Sequence, residues 1–191
     1  RIGNDLILFT KKSDMLTCLL LSRSFHEAEG IEEVVVPVPV FDAITKQPVL
    51  PEDKSKKMHD TEMELIFKYS PFTDMQSFMA AFDRIDGASG TLVVIYNMKL
   101  TDTGRTELDI SSDPFDILIE NGDVDEAELD LHLCPERRSL RSYVSILYYE
   151  PTMKLYIQGR KAPCKLLIHT LYQPREYTYS SNRYKAKAQT E

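Results

Sequence analysis

The chain has 191 residues, 42% of them hydrophobic, and a formal net charge of −7. That is enough for one sizeable core or two small ones, and no run of about 18 apolar residues is present to cross a membrane as a helix. Cys18, Cys134 and Cys164 are odd in number and lack CxxC or Cys/His ligand spacing, which argues against a disulfide framework or zinc site and for a reducing, intracellular setting. The charge is unevenly spread: from Pro135 onward eleven Lys/Arg face four Asp/Glu, a net of +7, so the first 134 residues carry −14. Blocks of opposite sign mark two modules with different tasks, or simply solvated faces of mixed charge. As a module, the basic block suits nucleic acid or the phosphates of a nucleotide. With Arg1 first and no leader pattern after it, the chain reads as an internal piece of a longer protein.

In chain order, residues 5–10 and 15–23 are strand-like runs joined by Lys11-Lys12-Ser13-Asp14, the pattern of an antiparallel hairpin. Residues 24–31 are polar and read as a loop or short helix ending at Gly30. Val34, Val36 and Val38 alternate beyond it, but Pro37 and Pro39 cannot donate ladder hydrogen bonds, so this is an edge or terminal strand. Residues 42–59 are charged and turn-rich, hence a surface loop. Thr61 with Glu64 predicts a capped helix carrying Met63, Ile66 and Phe67 and ending at Ser70-Pro71. Thr73 with Gln76 predicts a second, in which Met75, Phe78, Met79, Phe82 and Ile85 share a core-packing face. Asp86 to Gly90 breaks that helix, and residues 91–99 read as a central strand.

Residues 106–110 and 116–119 are short strands, and residues 121–130, with five acids and no aromatic, read as an exposed linker or insert. Ser139 can cap a helix in which Leu140, Tyr143, Val144, Leu147 and Tyr148 share one face, ending at Glu150-Pro151. Met153, Leu155 and Ile157 alternate in the strand that follows. Residues 165–171 and 175–179 look like further strands, and residues 183–191 are helix-prone. This order gives an α+β fold with two layered sheets.

No self-contained catalytic constellation stands out. The four histidines lie on dissimilar segments without metal spacing, and no GxSxG, Walker loop, HExxH or GxGxxG occurs. Glu107 and Asp109 flank Leu108 on one strand face, which a solvated face explains without a metal. Two places invite chemistry. Gly90 before Thr91 would let backbone approach a ligand, or is a plain helix-to-strand turn. The loop Gln158-Gly159-Arg160-Lys161-Ala162-Pro163-Cys164-Lys165 gathers three cations, which a triphosphate would neutralise, or which are ordinary hairpin charges.

At these segments the sequence resembles the MORC (microrchidia) family. The stretches that carry the resemblance are Arg1-Ile-Gly-Asn-Asp-Leu-Ile-Leu-Phe-Thr-Lys-Lys, Leu21-Ser-Arg-Ser-Phe-His-Glu, Tyr69-Ser-Pro-Phe and Gly90-Thr-Leu-Val-Val-Ile-Tyr-Asn. Arg138-Ser-Leu-Arg-Ser-Tyr, Met153-Lys-Leu-Tyr-Ile-Gln-Gly-Arg-Lys and Tyr172-Gln-Pro-Arg-Glu-Tyr complete the ordered series. MORC proteins are nuclear GHKL ATPases that dimerise through their heads on binding ATP and act in chromatin compaction and gene silencing. The resemblance implies that residues 1–103 are the C-terminal part of a GHKL (Bergerat-type) α/β sandwich. It makes residues 104–182, with an acidic insert at 121–134, a transducer-like βαβ domain similar to small-subunit ribosomal protein five. Residues 183–191 would begin a coiled-coil extension. ATP and Mg2+ are the implied ligands, a homodimer and DNA or chromatin the implied partners, and the nucleus the implied location.

Residue by residue, Arg1 and Gly3 would lie just after the phosphate-binding lid, and Gly90 and Thr91 would match the Gly-Thr box near adenine. The loop with Gln158 and Arg160 would reach the γ-phosphate, with Lys161 on the family's Gly-x-Lys pattern and Lys165 near the sensor lysine of gyrase-like relatives. Pro163 stands where a polar residue is expected. The family's N-box, Asp-x-Gly-x-Gly box and lid glycines do not occur in this sequence, so this segment alone is expected neither to hold ATP tightly nor to hydrolyse it. The rival reading is a non-catalytic module that binds DNA or a partner through Arg183, Lys185 and Lys187.

Overall fold

A computed structural model describes residues 2–52, 54–120, 135–147 and 153–165, with Tyr172 and Arg175. They fall into two units, one of residues up to Asp109 with Glu120, the other of Ile110–Ile119 with the described residues from Pro135 onward.

In the first unit β1 (Gly3–Lys12) and β2 (Met15–Ser22) form the expected hairpin, in register from Asp5↔Ser22 to Lys12↔Met15. Ser13, at φ 53, opens its two-residue turn. Side chains alternate along each strand, so Ile7, Phe9, Leu16, Cys18 and Leu20 are all fully buried. The short helix also forms: α1 (Arg23–Glu29) is capped by Ser22, whose side chain accepts from the Phe25 amide, and ends on the left-handed Gly30. Burial pushes the Cys18 thiol far up, leaving it a small apolar residue in practice.

The proline-interrupted run behaves as an edge. Only Val40–Asp42 pairs as β3, while the carbonyls of Pro37 and Pro39 accept from the amides of Leu20 and Cys18 at 3.1 and 3.0 Å. Lys54 and Glu62, 2.5 Å apart, grip this segment from outside the sheet. The Lys54 ammonium donates to the Val38 carbonyl at 2.7 Å, and a Glu62 oxygen accepts from the Val38 amide at 3.3 Å.

Both helix starts differ from the sequence patterns. α2 (Lys56–Tyr69) begins at Ser55, whose side chain accepts from the Met58 amide, so the segment expected to be loop through residue 59 is helical from Lys56. Thr61 lies inside the helix, its hydroxyl donating to the Lys57 carbonyl at 3.0 Å. The inward stripe explains the earlier start: His59, Met63 and Ile66, at i, i+4 and i+7, are all buried. α3 (Met75–Asp83) is capped by Asp74 rather than Thr73, its carboxylate accepting from the Ser77 amide at 2.9 Å. An ionised acceptor makes the stronger cap bond.

β4 (Ser89–Met98) pairs antiparallel with β1, giving the sheet order β3-β2-β1-β4. The strand expected to be central is therefore an edge strand among the described residues, and its burial alternates accordingly. The core closes around Phe9, whose ring centre lies 5.1, 5.3 and 5.0 Å from those of Phe72, Phe78 and Phe82. The short run β5 (Leu108–Asp109) follows.

The second unit holds β6 (Leu118–Ile119), a 3₁₀ turn at Pro135–Arg137, α4 (Leu140–Leu147), β7 (Tyr156–Ile157) and β8 (Arg160–Lys161). Ser139 caps α4 as expected, accepting from the Ser142 amide at 2.9 Å. The buried Asp116 supports the cap, with Oδ1 accepting from the Arg141 amide at 2.9 Å and Oδ2 from the Ser139 hydroxyl. The apolar face read from the sequence is not the buried one. Leu140, Tyr143 and Leu147 are 37%, 47% and 46% exposed, whereas Ser145 is 1% exposed. Ser145 is the buried residue of α4, its carbonyl accepting from the Lys165 amide, and the half-buried Arg141 hydrogen-bonds the β7–β8 hairpin.

All strand pairing within each unit is antiparallel, and the α+β class stands. The insert at 121–134, most of the expected strands at 165–171 and 175–179, Tyr148 and the extension at 183–191 lie outside the described residues.

Candidate functional site

β7 and β8 pair as Tyr156↔Lys161 and Ile157↔Arg160 around Gln158-Gly159. Gln158 at φ 49 and Gly159 at φ 71 are both left-handed, as a type I′ turn requires. A Cβ on Gly159 would meet nothing within 4 Å, so glycine serves the backbone angle there. The loop that gathers cations in the sequence is thus a tight hairpin.

Its side chains divide into two groups. Gln158 Nε2 donates to the Ile110 carbonyl at 3.3 Å, and the Arg160 guanidinium stands 3.3 Å from the centre of the Phe115 ring, a cation–π contact. Both are thereby tied within their own unit. Lys161 and Lys165 are exposed, and among the described residues neither ammonium has a partner. Their backbones, by contrast, are fixed: the Lys161 carbonyl accepts from Arg141 Nη1 at 3.0 Å, and the Lys165 amide donates to the Ser145 carbonyl at 2.7 Å.

Sequence reasoning missed Arg141 and Asp116 as parts of this site. Arg141 lies inside one of the stretches that carry the family resemblance, but its contacts are 16 to 26 residues away in sequence. No local pattern reveals them.

In the first unit, Gly90 and Thr91 border a shallow depression of about 510 Å³ with Thr10, Lys11, Lys12, Ser13, Ala88 and Ser89. Polar and basic residues therefore predominate in its lining. Gly90 also has a packing reason, since a Cβ there would lie 2.6 Å from Ile85 Cγ2. Gly3 is not part of this depression. It pairs with Met98, while Gly90 pairs with Lys11, eight residues further along β1, a separation of about 26 Å in an extended strand. A Cβ at Gly3 would lie 2.7 Å from the Tyr96 carbonyl oxygen, so glycine permits close strand approach there. Arg1 lies outside the described residues.

Asp5 is the polar centre of the first unit, 1% exposed. Its Oδ1 accepts from the Ser22 hydroxyl at 2.8 Å and the Ser24 amide at 3.0 Å, and its Oδ2 from the Ser24 hydroxyl at 2.6 Å and from Asn97. Burial opposes the charge, but hydrogen bonds from Ser24, Asn97 and Ser22 outweigh it and hold the carboxyl below its usual range. Among the described residues no three His, Cys, Asp or Glu side chains converge as a metal site.

No family model matches the chain. Individual relatives match it end to end. It is 49% identical over 191 residues to ATPase MORC2 of Homo sapiens and 45% identical over 191 residues to MORC family CW-type zinc finger protein 1 of Mus musculus. Both matches cover 100% of this chain. The chain belongs to the MORC family. A nematode member, ATPase morc-1 of Caenorhabditis elegans, is 30% identical over 97% of the chain. The chain spans 18% to 21% of the length of these three MORC relatives.

Proposed function

We propose that this chain is the nucleotide-sensing segment of a MORC-type ATPase. In this reading residues 1–103 complete a GHKL ATP-binding head, residues 104–182 form a transducer-like domain, and residues 183–191 begin a helical extension. The full-length protein binds and hydrolyses ATP, dimerises through its head when ATP is bound, and acts on chromatin in the nucleus. Two relatives that match the whole chain or nearly so are themselves named ATPases.

The observation that carries the reading is the partition of charges on the hairpin. Gln158 and Arg160 are held by Ile110 and Phe115, while Lys161, beside them, has a fixed backbone and an ammonium without a partner among the described residues. Such a lysine gains a charge-assisted contact only while a γ-phosphate is in reach, and loses it on hydrolysis. A contact worth about 2 kcal/mol shifts a two-state ratio by roughly thirtyfold. Lys165 is the alternative sensor, with its amide fixed and its side chain equally exposed. Magnesium, when bound, would neutralise phosphate charge. The depression beside Gly90 and Thr91 would lie toward the adenine.

The test is ATP turnover by the full-length protein. Loss of turnover in Lys161→Ala or Lys165→Ala, with the fold intact, identifies the sensor. Unchanged turnover in both contradicts the reading and leaves the basic C-terminal block to be explained as a DNA-binding surface.

A further inference from the structure

Five N–H donors on a rigid plane make arginine the side chain best suited to bridging several acceptors at once. Arg141 uses that capacity on carbonyl groups. Its Nε donates to the Phe115 carbonyl at 2.9 Å, a bond that Nη2 shares, and Nη1 donates to the Lys161 carbonyl at 3.0 Å. Nη2 also reaches the carbonyls of Ile157 at 2.9 Å and Arg160 at 3.5 Å. Three of these four acceptors, Ile157, Arg160 and Lys161, flank the Gln158-Gly159 turn.

The anchor is itself anchored. Asp116 accepts the Arg141 amide and the Ser139 hydroxyl, fixing the first turn of α4. Ser145, one helical turn beyond Arg141, accepts the Lys165 amide through its carbonyl at 2.7 Å. The hairpin and the segment leaving it are thus fastened to one helix at two levels. A second arginine brackets the turn, since Arg160 stacks on Phe115, whose carbonyl Arg141 holds.

We propose that Arg141 is the positioning residue of the nucleotide sensor: by clamping the carbonyls on both sides of the turn, it fixes the direction in which the Lys161 ammonium is presented. The proposal rests on the reading of Lys161 as the γ-phosphate sensor. Arg141 touches no nucleotide and acts only through Lys161. Lysine cannot replace it, because a single ammonium on a flexible stem cannot reach four carbonyls at once.

The experiment uses the full-length protein and measures ATP and ADP affinity in wild type, Lys161→Ala, Arg141→Lys, Arg141→Gln and the double variant Lys161→Ala with Arg141→Lys. ADP lacks the γ-phosphate, so its affinity reports an intact fold and head, and the ratio of ATP to ADP affinity reports the sensor. The expected result is unchanged ADP affinity, with the ATP preference lowered about tenfold or more in Lys161→Ala and in both Arg141 variants. The double variant is expected to show no further loss, because both changes remove the same contact. Additive losses in the double variant overturn the proposal. So does an ATP preference lost in Lys161→Ala but kept in Arg141→Lys, which leaves the sensor reading standing. An ATP preference kept in Lys161→Ala contradicts the sensor reading itself, and the proposal with it. Loss of ADP affinity in both Arg141 variants also contradicts the proposal, because Arg141 would then hold the protein together rather than aim one ammonium.

Discussion

The guanidinium of Arg141 donates to the backbone carbonyl of Lys161 at 3.0 Å across 20 residues of sequence. It joins a helix to the turn that presents an exposed lysine. The stability of that helix start therefore matters to the hairpin.

Asp116 and Ser139 hold the start of α4 in series, and their removal is expected to be unequal. Ser139→Ala loses the cap bond to the Ser142 amide and the bond to Asp116 Oδ2, at a cost of about 1 kcal/mol. Asp116→Ala strips acceptors from the Arg141 and Ile117 amides and the Ser139 hydroxyl at once, at a cost of about 2–3 kcal/mol. Urea unfolding of the two variants checks the order; equal midpoints would contradict the serial arrangement.

Asp5→Asn places an amide where four donors converge on a carboxylate, and is expected to cost about 2 kcal/mol at neutral pH. The folded-state pKa of Asp5 is depressed, so its contribution is fully present above about pH 4, the ordinary aspartate value, and is lost as pH falls through the folded value. The stability gap between wild type and variant should shrink below pH 4. A gap independent of pH would show that the carboxylate charge is not what the network binds.

His59 also costs stability as pH falls, but at a higher pH and because its charged form is resisted rather than because a charge is lost. Burial holds its imidazole below the ordinary histidine value, with Lys54 adding to the effect and Glu62 and Asp60 opposing it. Below about pH 6.5 the unfolded chain takes up a proton that the folded chain resists, so stability is full above that pH and declines beneath it. Thermal melts at pH 7.5 and 5.5 should show the decline in wild type and a smaller one in His59→Gln. Identical declines would remove His59 from the account.

Gly90→Ala tests whether that glycine serves packing. Its Cβ would sit 2.6 Å from Ile85 Cγ2, an overlap expected to cost about 1–2 kcal/mol. Ile85→Ala in the same chain should recover part of that cost, a coupling that a double-mutant cycle reads directly. Strict additivity would mean that Gly90 is needed for something other than room for Ile85.

The hairpin of β1 and β2 was legible in the sequence because period-two alternation places Ile7, Phe9, Leu16, Cys18 and Leu20 on one face, and the edge position of β3 because Pro37 and Pro39 cannot donate. Helix starts were misplaced for a chemical reason: Ser55 and Asp74 are better placed caps than Thr61 and Thr73, and spacing alone does not rank them. The buried face of α4 was misread because hydrophobic periodicity does not register an arginine and a serine whose roles there are hydrogen bonds. Asp5 left a readable signal, a carboxylate two residues before Ile7 and hence at an inward position. Arg141 left none, since its acceptors are backbone carbonyls brought near only by the fold.

The most direct test of the central claim is nucleotide-dependent self-association of the full-length protein, measured by sedimentation with ATP and with ADP. The account predicts a shift to dimer with ATP but not ADP in wild type, and no shift with either in Lys161→Ala. A Lys161→Ala protein that dimerises with ATP as wild type does would contradict it.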